Sequence, residues 1–561
     1  MAVLNEALAD ELQRQGVKRV FALLGEDVVQ LGVCLTQRGI ELVTARHESG
    51  AIAMADGYAR VSGELAVALI SRGPGVTNAL TGLANAAKAS NPVLVITGDC
   101  PQAIRGVVYS KWMDQTALFE AAEIPFVTIA SPDSAVADLA AAAEWARGGK
   151  LMVTQFPGEI LEADAREAPA SITLPPPRPI PGPPDPAQIT LLADLLGEDW
   201  AFAHPVILGG RGAHRAGAKQ ALLELGDRIG AIMATTLMGK GLFDDDPFSV
   251  GISGTYSNES AIELLGMADV VLAFGSSLDP LTTISGTLWS KARVFRFDVD
   301  PGQEQRGSVP AEIFVQGDAR LAAEALVAEL DRRGHRVTGM RNERVREQIA
   351  QAHVPPRHRD AGRPGALDPR QVMMTLDELL PDERTVVLDN GHHAAFSTAH
   401  LRVPDPGAFL SPLEFHCVGA STGMATGAAL ARPDRMTLYC VGDTGALMTF
   451  GDIESIARLG LPIVVVVVDD GGLGAEIQYL RVLGIEDAVA REHTPSFADV
   501  GRGLGFDSYT IETLDDLTAL GDTIARPTGP VLLHVRVTED VKADWIEVVM
   551  LGHKSEEPAI A

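Results

Sequence analysis

The chain is poor in the residue types that would tie it to several classes of protein. It has four cysteines in 561 residues, and their apolar neighbours predict buried, reduced thiols in a cytoplasmic protein rather than a disulfide framework. Lys and Arg number 46 against 74 Asp and Glu, so with a formal charge of −28 no nucleic-acid partner is expected. The chain has no apolar run of roughly 18 residues and no signal-peptide core at its N-terminus, so no membrane partner is expected either.

What the chain does contain is typical of a large globular enzyme. Apolar residues make up 46% and charged residues 21%, and the length favours three or four domains. Two proline-rich stretches, 174–186 and 354–370, can be neither helix nor central strand and are predicted to be linkers. They separate three segments, which we take as domains: 1–173, 187–350 and 366–561.

Within each segment, apolar β-branched runs alternate with helical patterns, which predicts a parallel sheet covered on both faces. The predicted strands are 19–24, 41–44, 65–71, 92–97, 126–129 and 151–155 in the first segment, 205–208, 231–235, 270–275 and 294–298 in the second, and 385–388, 436–441, 462–468 and 530–537 in the third. The expected fold class is therefore α/β, with three doubly wound parallel-sheet domains.

Two successive predicted strands of the third segment end in an acidic residue beside glycine. Asp443 lies in the sequence GDTG, and Asp470 lies in DDGGLG, 470 − 443 = 27 residues later. Parallel strands end at the same edge of a sheet, so both carboxylates could hold a divalent cation while the glycines let the backbone approach a phosphate. Each half alone is also consistent with ordinary turn residues at strand ends, but the spacing favours a binding site.

This stretch resembles the cofactor-anchoring motif of thiamine-diphosphate enzymes of the acetolactate synthase and pyruvate decarboxylase superfamily, which reads Gly-Asp-Gly and later Asn-Asn or Asn-Asp. The resemblance implies that Asp443, Asp470 and the backbone carbonyl of Gly472 coordinate Mg²⁺, and that this ion holds thiamine diphosphate. This sequence departs from the family pattern at two positions. Thr444 stands where the family has its second Gly, and Asp469 stands where the family has its first Asn. The cofactor-binding residues implied in this stretch are Gly442, Asp443, Thr444, Gly445, Ala446, Asp470, Gly472, Leu473 and Gly474.

The first segment carries a second motif, Arg-His-Glu followed by a helix of small residues that ends Gly-Tyr-Ala-Arg. Glu48 could simply favour the helix N-terminus electrostatically, but its apolar surroundings are typical of a buried carboxyl, which tends to be protonated and to donate a hydrogen bond. The motif resembles the same superfamily, which implies that Glu48 is the catalytic glutamate that contacts N1′ of the aminopyrimidine. The resemblance also implies that Glu48 reaches a cofactor held by a neighbouring subunit, so that a homodimer is the minimal active unit and a homotetramer is expected.

Further short motifs resemble the family's cofactor contacts. The turn SRGPGVTN, the turn DNGHH and the segment FHCVG imply cofactor-binding roles for Gly73, Asn78, Gly391, His392, His393 and Val418. Gly-rich turns at 209–212 and 238–241 resemble the middle domain that binds FAD or ADP in some members, and alone they are weak evidence.

The loop 105–115 is expected to line the substrate pocket, where Gln115 could donate a hydrogen bond to a substrate carbonyl. Glu26 stands where the family has Gly, and a carboxylate there could repel anionic substrates. Arg72 is also unusual in its turn.

The resemblance implies an enzyme dependent on thiamine diphosphate and Mg²⁺ that acts as a carbon–carbon lyase or ligase on a small 2-oxo acid, aldehyde or hydroxyacyl substrate. The reaction expected first is of the acetolactate synthase type, a decarboxylation followed by carboligation. One alternative is a lyase that cleaves a 2-hydroxyacyl-CoA or an α-hydroxyketone without decarboxylation. Another is a non-catalytic binding or regulatory subunit, which the departures at Glu26, Thr444 and Asp469 would favour and the retained Glu48 and Asp443 oppose.

Overall fold

The computed structural model describes residues 3–107, 110–177, 179, 181–197, 204–303, 307, 309–353 and 360–546. Its strands form three six-stranded sheets, and every pairing between the named strands is parallel. Helices pack on both faces of each sheet, so the predicted fold class is confirmed.

The first sheet has the strand order β2-β1-β3-β4-β6-β5. Its strands are β1 Arg19–Leu23, β2 Glu41–Thr44, β3 Ala66–Ile70, β4 Val93–Asp99, β5 Phe126–Thr128 and β6 Leu151–Pro157. The helices are α1 Leu4–Arg14, α2 Val29–Gln37, α3 Glu48–Ser62, α4 Pro74–Ala89, α5 Gln115–Ala121, α6 Ala135–Arg147 and α7 Gly158–Leu161.

The second sheet has the order β12-β11-β10-β7-β8-β9. Its strands are β7 Pro205–Gly209, β8 Ile232–Thr235, β9 Ser249–Ile252, β10 Val270–Phe274, β11 Arg293–Asp298 and β12 Ile313–Gln316. The helices are α8 Pro186–Gly197, α9 Arg211–Arg215, α10 Lys219–Ile229, α11 Glu259–Gly266, α12 Pro280–Thr283, α13 Ala319–Arg332 and α14 Glu343–His353.

The third sheet has the order β14-β13-β15-β16-β18-β17. Its strands are β13 Arg384–Leu388, β14 Phe409–Leu410, β15 Met436–Gly442, β16 Ile463–Asp469, β17 Asp507–Ile511 and β18 Val531–Arg536. The helices are α15 Pro369–Leu379, α16 His393–His400, α17 Ser421–Ala431, α18 Asp443–Met448, α19 Phe450–Arg458, α20 Gly474–Val482, α21 Phe497–Leu504, α22 Leu514–Ala519 and α23 Gly521–Ala525.

All fourteen predicted strands are present within a few residues of their predicted bounds, and the structure adds β9, β12, β14 and β17. The segment boundaries 1–173, 187–350 and 366–561 stay a prediction, and residues 354–359 of the second linker and 547–561 at the C-terminus lie outside the described residues. None of the helices in the described part of the chain is both long and apolar enough to cross a membrane.

Helix α3, which begins at Glu48, joins the first sheet region to the third by crossing α17 at very close range. A Cβ at Gly57 would overlap the backbone of Met424, and a Cβ at Gly427 would overlap the carbonyl oxygen of Met54. Only glycine permits this approach of one backbone to another. The small residues that the sequence places in α3 therefore let this helix pack directly on α17 of the third domain in its own chain.

A buried ion cluster joins all three regions at one point. The carboxylate oxygen Oε1 of Glu414 accepts hydrogen bonds from Arg60 Nη1 at 3.1 Å and from Arg211 Nη1 at 2.6 Å. The side chains of Arg60 and Glu414 are only 4% and 10% exposed, so their charges are largely removed from water. Because unpaired buried charges are costly, this cluster favours one relative placement of the three sheets.

Candidate functional site

The carboxylate of Asp443 lies at the carboxyl end of β15 and organises the turn that follows the neighbouring strand β16. It accepts hydrogen bonds from the backbone N–H groups of Thr444 at 2.7 Å, Gly471 at 3.2 Å and Gly472 at 2.9 Å. The strands lie side by side, with Gly442 paired to Val468. The two acidic motifs of the sequence therefore meet at one sheet edge.

The electrostatics of this edge suit a cation. Asp443 is 1% exposed, and burial followed by the nearby charge of Asp470 raises the pKa of the Asp443 carboxyl well above its ordinary value. Two carboxylates held together in a confined site favour a bound divalent ion, which would neutralise both. No group of three His, Cys, Asp or Glu side chains suited to a metal is found among the described residues. Backbone, water and phosphate oxygens would therefore complete the ligand set, as is usual for Mg²⁺.

The backbone around Gly472 is shaped for that purpose. Gly472 has φ +149°, and a Cβ there would overlap the carbonyl oxygen of Ala490. The hydroxyl of Thr444 lies 3.4 Å from the carbonyl oxygen of Gly472, so the departure at Thr444 places a hydroxyl beside the proposed ligand. The donor set of two carboxylates and one carbonyl in a glycine-lined turn fits Mg²⁺ and a diphosphate.

Asp469, the other departure from the family motif, has partners of its own. Its carboxylate accepts hydrogen bonds from the N–H of Gly471 at 3.1 Å and the hydroxyl of Thr494 at 2.9 Å, and it lies 2.9 Å from Nε2 of His534. Burial opposes its charge, but these hydrogen bonds outweigh it and lower the pKa of Asp469. Asp469 therefore steadies the turn that carries Asp470, a role that the sequence analysis missed.

The two histidines of the DNGHH turn have different surroundings. Nε2 of His392 accepts a hydrogen bond from the N–H of Ala543 at 3.1 Å, so in the neutral ring Nδ1 carries the proton and lies 3.5 Å from Asp470 Oδ2. Burial lowers the pKa of His393 to about 4, so this ring is neutral at pH 7. Its Nε2 atom is buried with no hydrogen-bond partner within 3.5 Å among the described residues, and an interaction with the backbone of Cys440 partly opposes the effect of burial on the pKa.

Asp389, at the start of the same turn, was not among the predicted site residues although the sequence analysis quoted its motif. It is fully buried and accepts hydrogen bonds from the N–H of Gly419 at 2.9 Å and from the hydroxyl of Ser421. A Cβ at Gly445 would overlap Asp389 and would lie 3.3 Å from Val418. Asp389, Gly445 and Val418 therefore lie close together. The side chain of Val418 is 38% exposed at this edge.

In the first domain, Glu48 begins α3 and is 8% exposed. Its Oε2 accepts a hydrogen bond from Asn78 Nδ2 at 3.0 Å, so the structure brings together two residues that the motifs predict. Asp452 of the third domain accepts a hydrogen bond from the N–H of Arg46, two residues before Glu48, at 2.9 Å. In the described contacts of the single chain, Glu48 meets neither Asp443 nor Asp470.

Gln115 lies inside the first domain and holds the turn at Gly73. Its Oε1 accepts the N–H of Gly73 at 2.7 Å, and its Nε2 donates to the carbonyl of Gly98 at 3.1 Å and to Gln155 Oε1 at 3.2 Å. With 3% exposure and these partners, Gln115 is placed to position Gly73. Its predicted contact with a substrate carbonyl stays a prediction.

The Gly-rich turns of the middle domain border a cavity of about 910 Å³ at the carboxyl edge of the second sheet. Arg211, Gly212 and Met238 line it, together with Lys88 from the first domain and Glu414 from the third. The cavity is therefore enclosed by all three domains, next to the buried ion cluster at Glu414.

Three family models match the chain in succession. They describe the N-terminal TPP binding domain, the central domain and the C-terminal TPP binding domain of thiamine pyrophosphate enzymes, at residues 3–118, 200–326 and 389–535. The two binding-domain models cover Glu48 and Asp443, so they coincide with the two sites described above.

Curated relatives match over nearly the full chain. The acetolactate synthase large subunit of Parasynechococcus marenigrum is 29% identical over 95% of this chain and 88% of its own length. A protein named "probable 2-ketoarginine decarboxylase" from Pseudomonas aeruginosa is 30% identical over 91% and 90%. The sulfoacetaldehyde acetyltransferase of Alcaligenes xylosoxydans xylosoxydans is 25% identical over 91% and 89%.

Proposed function

This chain belongs to the thiamine pyrophosphate enzyme family, as an enzyme of the acetolactate synthase and decarboxylase type, and from that premise we propose its reaction. We propose that it uses thiamine diphosphate and Mg²⁺ to decarboxylate a 2-oxo acid and to join the remaining acyl unit to a second carbonyl compound. The observation that carries this proposal is the turn in which Asp443 binds the backbone of Gly471 and Gly472 beside Asp470.

Each residue of the site has a defined task in this proposal. Asp443, Asp470 and the carbonyl of Gly472 would hold Mg²⁺ on the diphosphate, and the N–H of neutral His393 would donate a hydrogen bond to a phosphate oxygen. When bound, thiamine diphosphate supplies a carbon nucleophile and an electron sink for the carbanion chemistry. Glu48 would hold a proton at N1′ of the aminopyrimidine, and Asn78 would orient the Glu48 carboxylate.

The active unit in this proposal is a homodimer in which Glu48 of one copy faces the Asp443 turn of the other. Exposed apolar side chains at the third-domain edge support it, because a second copy would remove them from water. They are Val418, Leu447, Met448 and Leu473, with exposed fractions of 38%, 40%, 63% and 36%. Two dimers in a tetramer are a further part of the proposal. FAD or ADP in the middle domain stays an unsupported alternative, and the cavity beside Arg211 is where it would bind.

The test is calorimetric titration of thiamine diphosphate into metal-stripped protein, with and without Mg²⁺, followed by turnover assays with 2-oxo acids. Binding that depends on Mg²⁺, together with release of CO₂, is the expected result. Turnover of a 2-hydroxyacyl-CoA without CO₂ release would favour the lyase alternative. Absence of both binding and turnover would favour the non-catalytic alternative, with Thr444 and Asp469 as the reason.

A further inference from the structure

Charged side chains follow four neighbouring strands at the carboxyl edge of the first sheet. Glu48 follows β2, Glu26 follows β1 and Arg72 follows β3, while Lys111 lies in the loop after β4. The strand order β2-β1-β3-β4 places these positions side by side. The substrate-binding side of a parallel sheet is this edge.

Two cations share the carboxylate of Glu26, one at each oxygen. Lys111 Nζ contacts Oε2, and Arg72 Nη2 lies 3.5 Å from Oε1. The side chain of Arg72 is 10% exposed, while those of Lys111 and Glu26 are 35% and 57% exposed. The expectation that Glu26 repels anions therefore overlooks the two cations that face it.

Two further carboxylates of this edge have other partners. Asp27 accepts hydrogen bonds from the Ser71 hydroxyl at 2.6 Å and from the backbone N–H of Arg72 at 2.9 Å. Asp99 pairs with Arg105. Glu26 is thus the exposed carboxylate that Arg72 and Lys111 hold in common.

The turn that carries Arg72 is close to Glu48. A Cβ built on Gly75 would lie 3.4 Å from both Glu48 Oε1 and Ser71 Cβ, and Ser71 directly precedes Arg72. A Cβ at Gly73 would lie 2.6 Å from the carbonyl oxygen of Lys111, so the loop that carries Lys111 packs on the same turn. A small substrate beside Glu48 could therefore reach the Arg72 and Lys111 side chains.

We infer that Arg72 and Lys111 form a binding site for a carboxylate of the substrate, and that Glu26 takes this position until the substrate displaces it. The Lys111–Glu26 pair is exposed and therefore weak, and the exchange of one carboxylate for another leaves both cations paired. The carboxylate that binds here is one that the product retains, not the one that leaves as CO₂. A cation paired to the carboxylate that leaves would stabilise the substrate more than the transition state and would slow the decarboxylation. This inference rests on the proposed function and defines its substrate class as acidic, beyond the 2-oxo acid group itself.

Two pairs of substrates distinguish the source of the retained carboxylate. The donor arm varies the 2-oxo acid that loses CO₂ and compares acidic 2-oxoglutarate with neutral-chain 2-oxopentanoate. The acceptor arm varies the second carbonyl compound at a fixed pyruvate concentration and compares acidic glyoxylate with neutral acetaldehyde. We expect one arm to favour its acidic member by about tenfold or more in kcat/KM. In that arm Arg72→Gln and Lys111→Gln should raise the KM of the acidic member about tenfold and leave kcat and the neutral member nearly unchanged.

Glu26→Gln should lower the KM of the acidic member, since it removes the competing carboxylate. The matched control is Arg105→Gln, which removes a cation from the same loop and should leave the preference intact. Equal losses on acidic and neutral members in both variants, or thiamine-dependent turnover without an acidic preference, would overturn the inference while the proposed function stands. Lys111→Gln, on the exposed loop, serves if Arg72→Gln fails to fold.

If the wild type neither binds thiamine diphosphate nor turns over, the proposed function fails, and direct binding then decides the carboxylate site. Calorimetric titration of 2-oxoglutarate and glyoxylate into the wild type and Lys111→Gln needs no turnover. Weaker binding to the variant would support the site. Equal binding, or none to the wild type, would overturn it.

Discussion

The carboxylate of Asp443 accepts a hydrogen bond of 2.9 Å from the backbone N–H of Gly472, which lies 29 residues later in the chain. This bond orients the turn after β16 so that the carboxylates of Asp443 and Asp470 lie at one sheet edge. We expect Asp443→Asn to weaken thiamine diphosphate binding in Mg²⁺ by about tenfold or more, because the amide loses the charge and replaces one of the two oxygens that accept backbone N–H groups. Calorimetry measures this loss, and Asp434→Asn, an exposed acid of the same domain, is the control.

The position of Asp470 can be tested without removing it. A Cβ at Gly474 would overlap the Asp470 carboxylate, so Gly474→Ala should displace that side chain and weaken Mg²⁺-dependent cofactor binding. Gly503→Ala is the matched control, since no atom lies within 4 Å of a Cβ at that helical position. Identical cofactor affinity in the two variants would remove Asp470 from the site.

Glu48 is predicted to act in turnover and not in cofactor retention. Glu48→Gln keeps a side chain of the same size beside Asn78 but cannot exchange a proton at N1′, so kcat should fall by about a hundredfold or more. The affinity for thiamine diphosphate should remain within a few-fold of the wild type. Glu64→Gln, on an exposed turn of the same domain, should change neither value. Near-normal turnover by Glu48→Gln would contradict the role.

Local patterns in the sequence are sufficient to predict the features that depend on local chemistry. The valine run 464–468 predicts a buried strand because β-branched residues favour that environment, and it is fully within β16. Asp443, Asp470 and Glu48 stand in spaced motifs at strand ends, which a parallel sheet brings to its carboxyl edge. The two-residue strand β14 has no such pattern, since its pairing with β13 depends on tertiary contacts.

The roles of buried polar residues could not be predicted in the same way. Apart from the N–H of Gly471 beside Asp469, the partners of Asp389, Asp469 and Gln115 lie 17 to 65 residues away in the chain, and no local spacing indicates which groups they are. The sequence does place Asp469 at the end of a buried strand, next to a second acidic residue. A carboxylate in that environment needs a hydrogen-bond partner, but the sequence does not indicate that His534 is that partner.

Gln115 is expected to contribute to stability through the Gly73 turn. Gln115→Leu leaves the N–H of Gly73 without its acceptor and should lower the free energy of unfolding by about 1–3 kcal/mol. Urea denaturation followed by circular dichroism measures the change, and Gln220→Leu, on an exposed helix face, is the control. Unchanged stability with a large rise in KM would instead favour the substrate contact predicted from the sequence.

The ion cluster at Glu414 should make the assembly of the three domains sensitive to acid. Burial alone would raise the pKa of Glu414, but the guanidinium groups of Arg60 and Arg211 outweigh it and lower the pKa below the ordinary value of 4.5. Its contribution to stability is therefore present above pH 4.5 and is lost as the pH falls through the lower pKa of the folded protein. Glu414→Gln leaves the buried Arg60 and the partly buried Arg211 without their charge partner and should cost about 3–5 kcal/mol at pH 7. Thermal unfolding of the wild type and the variant from pH 7 to pH 3 tests this, because the difference between them should shrink in acid. A difference that stays constant over that range would show that the charge of Glu414 does not hold the three domains together.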